Sequence, residues 1–419
     1  MKKKLNFIDL FSGAGGLSEG FIRQGFNAIA HVEIDKAACN TLLTRTAYHY
    51  LNSRNEKEDY LNYLRREISR DELYSLLPET LMNSVINKPI GSETNQGIFE
   101  QIDKLKGEKD IDLIVGGPPC QAYSLIGRAA DKNGMKEDDR NHLYVQYGEY
   151  LKKYQPKLFV FENVLGLLSA KSKTGEKYID KMLKLFRKIG YETEFKTLNA
   201  NDFGVLQKRK RVILIGRRGK KIDFYPEFLK KETTITVNEI FKGLPKLKAG
   251  KGEFYITPYT KETSEYLQSS KVQNGIDFTT QHIARPHNEQ DKEIYRIAIN
   301  KWDKKKERLN YNDLPNRLKT HKNRKSFTDR FKVVADELSS CHTVVAHIAK
   351  DGHYYIHPDI KQNRSITPRE AARLQSFPDD YFFEGVSDKP SRTAAFKQIG
   401  NAVPPLLAEE IAIEIKKII

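Results

Sequence analysis

Cysteine is scarce in this sequence: Cys39, Cys120 and Cys341 are the only three in 419 residues. An odd number, so widely separated, makes neither a disulfide framework nor a zinc ligand set, and no metal site is expected. Long apolar runs are missing too, and Met1-Lys2-Lys3-Lys4 passes straight into a short strand with no secretory hydrophobic region. These absences exclude a bilayer-spanning helix and make the cytoplasm the expected location. Repeats and low-complexity segments are also lacking. What remains, 39% of it hydrophobic, is long enough for two or three domains around a substantial core.

Positive charge is in excess, and it is unevenly placed. The formal net charge is +16; residues 207–221 hold eight Lys or Arg and no acid, and residues 301–332 hold twelve against four acids. Clustered basicity of this kind fits a polyanion footprint, because counterion release drives phosphate binding. A merely solvated charged face fits either run equally well.

Residues 112–115 read as a buried parallel strand that runs into Gly116-Gly117-Pro118-Pro119-Cys120-Gln121-Ala122-Tyr123-Ser124. Two glycines turn the chain and two prolines stiffen it, so the Cys120 thiol is presented just past a strand's carboxyl end, where open α/β sheets carry out their chemistry. Lone cysteines are more often small buried hydrophobes. A core cysteine, however, needs no such rigid bracket, and Cys120 is the best nucleophile candidate in the chain.

At the amino end, a strand over 7–11 meets the loop Ser12-Gly13-Ala14-Gly15-Gly16, a helix from Leu17 and a second strand over 28–34. This is the opening half of a doubly wound sheet. Glu33 ends the second strand, where an acid accepts hydrogen bonds from the hydroxyls of an adenosine ribose. The loop is neither the Gly-x-Gly-x-x-Gly of pyrophosphate binders nor a P-loop, so an adenosine ligand without phosphates suits it. Residues 44–109 read as a charged, loosely helical insertion. A polar stretch over 126–141 precedes a helix over 143–154 and a strand over 158–161, which delivers Glu162-Asn163-Val164 to the sheet edge that carries Cys120. A carboxylate beside a thiol is the pairing that acid-assisted nucleophilic chemistry requires.

Strands are expected over 191–198 and 211–216. From 223 to 363 the pattern dissolves into short, polar, Lys- and Tyr-rich pieces, read as a separate recognition domain with a hairpin over 343–357 turning near Asp351-Gly352. His347, His353 and His357 follow from alternation in that hairpin and do not make a metal site. Thr367-Pro368-Arg369-Glu370 is a capping box with proline at the first helical position. Residues 398–405 read as a tight turn before an apolar helix that reaches Ile419.

In this order, the glycine loop, Pro-Pro-Cys, Glu-Asn-Val and Gln207-x-Arg209-x-Arg211, with 367–379 and 398–403, closely resemble the motifs of the DNA (cytosine-5) methyltransferases of bacterial restriction-modification systems. The resemblance spans most of the chain. It implies a Rossmann-like methyltransferase domain (residues 1–222, with an insertion at about 45–96, completed by 366–419) and a smaller, mostly β or irregular target-recognition domain over 223–365. It also implies S-adenosyl-L-methionine as methyl donor, with S-adenosyl-L-homocysteine as product, and double-stranded DNA as partner.

Carried over residue by residue, the resemblance makes Cys120 the nucleophile, Glu162 the acid that engages a flipped base, and Arg209 and Arg211 the arginines that organise the pocket, with Arg211 on the base. Phe11, Ser12, Gly13, Ala14, Gly15, Gly16, Glu33, Ile34, Ile98, Pro118, Leu143, Asn401, Ala402 and Val403 are the expected cofactor contacts. Gln121, Ser124 and Arg128 are expected at the DNA, and Arg317, Lys319, Lys322, Arg324 and Lys325 on its phosphates. The sequence departs from the family pattern at Ile34, which replaces an aromatic against adenine; at Gly97-Ile98, which lacks the aspartate for the adenine amine; and at Ile126, which replaces a serine.

A tRNA methyltransferase of the same fold would use the same site, but residues 223–363 exceed what such a relative needs. A catalytically silent DNA-binding regulator would lack part of the Cys120, Glu162 and Arg211 set, which is complete here. A nicotinamide oxidoreductase is disfavoured by the missing third glycine. One flipped base needs one site, so a monomer is expected, with a cognate endonuclease acting on the same DNA sequence without a stable complex.

Overall fold

Strands β1 (Asn6–Leu10), β2 (Asn27–Glu33), β3 (Val85–Asn87), β4 (Leu113–Gly116), β5 (Leu158–Asn163), β6 (Tyr191–Asn199) and β7 (Lys210–Arg218) form one sheet in the order β3-β2-β1-β4-β5-β7-β6. The computed structural model describes residues 4–119, 142–172, 174–219, 222–231 and 234–419. β1 to β5 pair in parallel, and β7 inserts antiparallel between β5 and β6. The central strands β1 and β4 are buried along their whole length because both sheet faces are covered, as parallel sheets require. Strand order reverses between β1 and β4, the crevice where doubly wound sheets place ligands.

Helices α1 (Gly16–Arg23), α2 (Lys36–Ser53), α3 (Lys57–Arg65), α4 (Arg70–Ser75), α5 (Glu79–Met82), α6 (Asn95–Lys106), α7 (Leu143–Tyr154) and α8 (Tyr178–Lys188) belong to the sheet half. One core layer gathers Ile8, Ile98, Ile114, Tyr147 and Phe186, and the opposite layer gathers Phe7, Phe21, Leu113 and Leu407. The region read as an insertion over about 45–96 is more integral than expected. α2 begins at Lys36, and β3 adds an edge strand to the sheet through His31↔Val85 and Val32↔Ile86.

Residues 234–365 hold two small antiparallel ladders, Thr257–Pro258 with Phe278–Thr279 and Gly252–Glu253 with His282–Ile283, together with α9 (Glu265–Ser269) and the long helix α10 (Glu289–Lys305). The expected hairpin over 343–357 is not formed. Val344 N–H donates to Gln207 Oε1 at 2.9 Å and Val345 N–H to Tyr355 Oη at 3.0 Å, so the first arm's amides are engaged outside a ladder, and a 3-10 turn follows at Ala346–Ala349.

α11 (Pro368–Leu374) opens with the expected reciprocal capping box between Thr367 and Glu370. α12 (Arg392–Asn401) and α13 (Pro405–Ile418) complete the chain. Residues 398–401 are therefore the last turn of a helix and not part of a tight turn. That turn persists because the Arg209 guanidinium donates to its terminal carbonyls, of Gly400 at 3.2 Å and Asn401 at 3.4 Å. Ala14, Leu206, Val344, Leu374 and Ile399 share one core cluster, so residues 234–365 pack directly on the sheet half.

Candidate active site

The carboxyl ends of β1, β2, β4 and β5 lie at one sheet edge, and β7, running antiparallel, brings its first residues to the same edge. Register fixes this, since Glu162 pairs with Ile213 and Asn163 with Val212. Arg211 is one residue beyond that register, and its Nε lies 2.7 Å from Glu162 Oε1. Both side chains are about seven-eighths shielded, with 12% and 13% exposure, so each is held by the other yet reachable from outside.

The turn after β4 fits against this pair. A Cβ on Gly117 would stand 2.6 Å from Glu162 Oε2 and 2.8 Å from the Glu162 carbonyl oxygen, so only glycine lets the carboxylate lie over the turn. Asn163 Nδ2 donates to the Pro118 carbonyl at 3.2 Å and fixes the chain entering Cys120. Cys120, Gln121, Ser124 and Arg128 lie outside the described residues, as does the polar stretch over 126–141. The other two cysteines do not compete as nucleophiles: Cys39 and Cys341 are buried and unbridged, and burial pushes each thiol up to about 12.

Beside the first crevice, Phe11 leaves β1 at φ 57°, and the loop 12–15 folds back as Gly15 N–H donates to the Ser12 carbonyl. Glu33 caps the loop. Its Oε2 accepts from Gly13 N–H at 2.8 Å and its Oε1 from Asp35 N–H at 2.8 Å. Burial nevertheless raises the Glu33 carboxyl above its ordinary range, more than these donors lower it. Next to it Ile34 is 64% exposed, an apolar side chain presented to a ligand or to solvent at the mouth of the crevice. Leu143, half-buried, opens α7.

α13 and the end of α12 close the loop from behind. A Cβ on Gly16 would stand 2.1 Å from the Val403 carbonyl oxygen, so Val403 rests on the first turn of α1; Ala402 is buried beside it and Asn401 is exposed. Tyr381 Oη donates to the Ala14 carbonyl at 2.5 Å, a contact with no sequence signature.

Ile98 is placed differently from expectation. It lies on α6, one turn before Ile102, fully buried in the sheet core, and so it cannot meet a ligand at the crevice. The third strand ends at Asn87, eleven residues earlier than Ile98 in the numbering. Asn87 Nδ2 spans the carbonyls of Glu33 at 3.0 Å and Ile34 at 2.9 Å, so the residue at that strand end is one that the motif reading missed.

The basic run 207–221 is not a continuous surface. Gln207 and Arg209 are buried: Gln207 Nε2 donates to the Leu374 carbonyl and to Gln375 Oε1, each at 2.8 Å, and Arg209 donates to Val344, Gly400 and Asn401. Only alternate positions, Lys208 and Lys210, face outward from its first part. In the second basic run, Arg317 forms a two-pronged ion pair with Glu293, whereas Lys319, Lys322, Arg324 and Lys325 have no carboxylate partner among the described residues. No cluster of three His, Cys, Asp or Glu side chains able to hold a metal occurs among the described residues, and none of their helices is long and apolar enough to cross a membrane.

The model of the C-5 cytosine-specific DNA methylase family matches residues 5–64 and 84–417. Among curated proteins, the type II methyltransferase M.Bpa9945I of Bacillus paralicheniformis is 43% identical over 98% of both chains. The type II methyltransferase M1.HphI of Haemophilus parahaemolyticus is 32% identical over 97% of this chain and 86% of its own. Among solved structures, one described as a DNA modification methyltransferase encoded within an Escherichia coli prophage superposes with TM-score 0.63 at 24% identity, over 99% of both chains, which is a likeness of fold.

Proposed function

The chain belongs to the C-5 cytosine-specific DNA methylase family, with relatives that are type II methyltransferases of restriction-modification systems, and from that premise we propose that Cys120 attacks carbon 6 of an everted cytosine while Glu162 and Arg211 hold the base. The observation that supports this most directly is the Arg211–Glu162 pair, 2.7 Å apart at the mouth of the turn that leads to Cys120.

Carbon 5 of cytosine is a poor nucleophile until electrons are pushed into the ring. Addition of a thiolate at carbon 6 does so, and an ordinary thiol of pKa about 8.5 is already a few per cent ionised at neutral pH. The C5–C6 electron pair becomes available at carbon 5, and charge builds on nitrogen 3 and the carbonyl oxygen. Glu162 supplies a shared proton at nitrogen 3, and the Arg211 guanidinium donates to the oxygen. Because the two side chains are in contact, one base reaches both. Once carbon 5 carries its methyl group, loss of its proton returns electrons to the ring and expels Cys120 as thiolate.

The cofactor residues fit an adenosyl group. Glu33 presents a carboxylate at the end of β2, Ile34 offers exposed apolar surface beside it, and a Cβ at Gly13 would meet nothing within 4 Å, so that side of the loop is open. S-adenosyl-L-methionine, when bound there, supplies the methyl group on a sulfonium; Asn401 and Val403 would border it. A stacked duplex hides carbon 6, so eversion of the base, at a cost of a few kcal/mol, precedes chemistry. The protein acts as a monomer on double-stranded DNA and protects it from an endonuclease of the same specificity.

Incubation of the purified protein with unmethylated genomic DNA, or with bulk tRNA, and methyl-labelled donor tests the reading. 5-Methyl-2′-deoxycytidine in the DNA digest is expected. Label confined to 5-methylcytidine in tRNA would assign the protein to RNA instead.

A further inference from the structure

A cavity of about 260 Å³ opens in the recognition segment between α10 and residues 311–331, and no family motif contributes to its lining. Tyr311, Phe327 and Phe331 wall it with aromatic faces and edges: Phe327 meets Tyr311 edge-on at 4.8 Å, and at the rim the exposed His321 ring stacks flat on Phe327 at 3.8 Å.

Two polar groups face one another in this lining without satisfying each other. Asp291 Oδ1 is 4.0 Å from His353 Nε2, too far for a hydrogen bond, and the Asp291 carboxylate accepts none from any described residue. Burial pushes His353 below its ordinary value and Asp291 above its own. Tyr295 Oη lies 2.8 Å from His353 Nδ1; assigning the phenol as donor there leaves the proton on Nε2. The cavity therefore presents a double acceptor beside a single donor.

Positive charge is concentrated in one of the segments that line the cavity. Half of the twelve basic residues of 301–332 are matched by acids, as in Arg308–Asp329, Arg317–Glu293 and Arg330–Asp351. Those without a carboxylate partner among the described residues include Lys319, Lys322, Arg324 and Lys325, all within the short segment from Leu318 to Phe327 that lines the cavity. Aromatic walls, an unfilled hydrogen-bonding edge and a cationic rim are together what a nucleotide requires.

We propose that this cavity binds the Watson–Crick edge of an unpaired guanine in DNA, with Asp291 accepting from guanine N1–H and the N2 amino group and His353 donating to O6. Only guanine offers two adjacent donors beside an acceptor on that edge. Adenine and cytosine each place a ring acceptor where the second donor must be, and thymine has a single donor. The proposal rests on the DNA methyltransferase reading, since eversion of a cytosine leaves its guanine without a partner. The rim cations hold the adjoining phosphates.

The test uses the full-length protein and thymine oligonucleotides that carry one central guanine or one inosine, which lacks the N2 amino group. The guanine oligomer is expected to bind about tenfold tighter, the discrimination of a bidentate base contact, and Asp291→Asn is expected to erase the difference. Equal binding of the two oligomers by the unmodified protein, a comparison that needs no variant, overturns the assignment. So does an undiminished preference in Asp291→Asn. Competition by guanosine 5′-monophosphate at the same molar concentration as the oligomer would move the source from DNA to a free nucleotide. Methylation of genomic DNA by the same preparation is scored separately: activity without guanine preference removes the cavity assignment alone, whereas preference without methylation removes the enzymatic reading.

Discussion

Arg209 ties Val344 to the end of α12: its guanidinium donates to the Val344 carbonyl at 2.7 Å on one side and to those of Gly400 and Asn401 at 3.2 and 3.4 Å on the other. Asn401 begins the run that reaches Val403 against Gly16. The side chain is almost wholly buried, so its charge is compensated by aligned carbonyl dipoles.

Replacement of Arg209 by alanine is expected to destabilise the fold by about 2–3 kcal/mol, the scale of a lost buried charge-assisted hydrogen bond. It should also raise KM for the methyl donor more than it lowers kcat, because Asn401 to Val403 lose their anchor. Arg209→Lys should recover part of the donor affinity. Urea unfolding and steady-state kinetics with varied donor measure both; a fall in stability with an unchanged donor KM would contradict the link.

Gly16 tests the back wall of the same crevice. Gly16→Ala must displace the Val403 carbonyl, and overpacking of this kind costs about 1–3 kcal/mol. The expected result is weaker donor binding by calorimetry with DNA affinity retained.

Glu162→Gln removes the shared proton while keeping the shape, and is expected to lower kcat by about 10²- to 10⁴-fold. Arg211→Ala should lower kcat as well, and it leaves Glu162 without its 2.7 Å partner. If the two act on one base, the double variant is little worse than the worse single one in single-turnover assays. Strictly multiplicative losses would separate their roles.

Acid should loosen residues 234–365 first. Burial pushes His282 and His342 down to about 4, and His287 and His357 to about 3, so all four are neutral when folded. The unfolded chain takes up protons near pH 6.5 and the folded chain does not. Stability from this source is therefore complete above pH 6.5 and declines as pH falls towards 4. Carboxylates add to the loss lower down: although burial alone would raise Glu370, the Arg364 guanidinium holds it well below its ordinary 4.5. The urea midpoint should fall steadily from pH 6.5 to 5, and a flat profile over that interval would refute the histidine account.

Legibility in the sequence followed the strength of local signals. The helix Leu143–Tyr154 and the capped helix from Pro368 to Leu374 were readable to the residue, because helical periodicity and a capping box are local. Strand β3 was not. Its three residues, Val85 to Asn87, carry no apolar run, and the register that makes them a strand comes from His31 and Val32 across the sheet. Losing that strand end put Ile98 at the crevice, where the fold puts Asn87. The alternation of 343–357 suggested a hairpin, but the amides of Val344 and Val345 are claimed by Gln207 and Tyr355, partners distant or irregular in sequence. The same holds for the carbonyls of Gly400 and Asn401, whose donor, Arg209, stands just before β7. Glu162 and Arg211 were legible as motif members, yet their contact depends on the antiparallel insertion of β7, which no local pattern announces.

The central claim, that this site methylates cytosine in DNA through Cys120, is tested most directly by bisulfite sequencing of DNA from a methylation-free bacterial host that expresses the protein or its Cys120→Ser variant. Unconverted cytosines in one short sequence context with the unaltered protein, and none with Cys120→Ser, are the expected result. Complete conversion in both, from protein that is soluble and binds the donor, or equal protection in both, would contradict it.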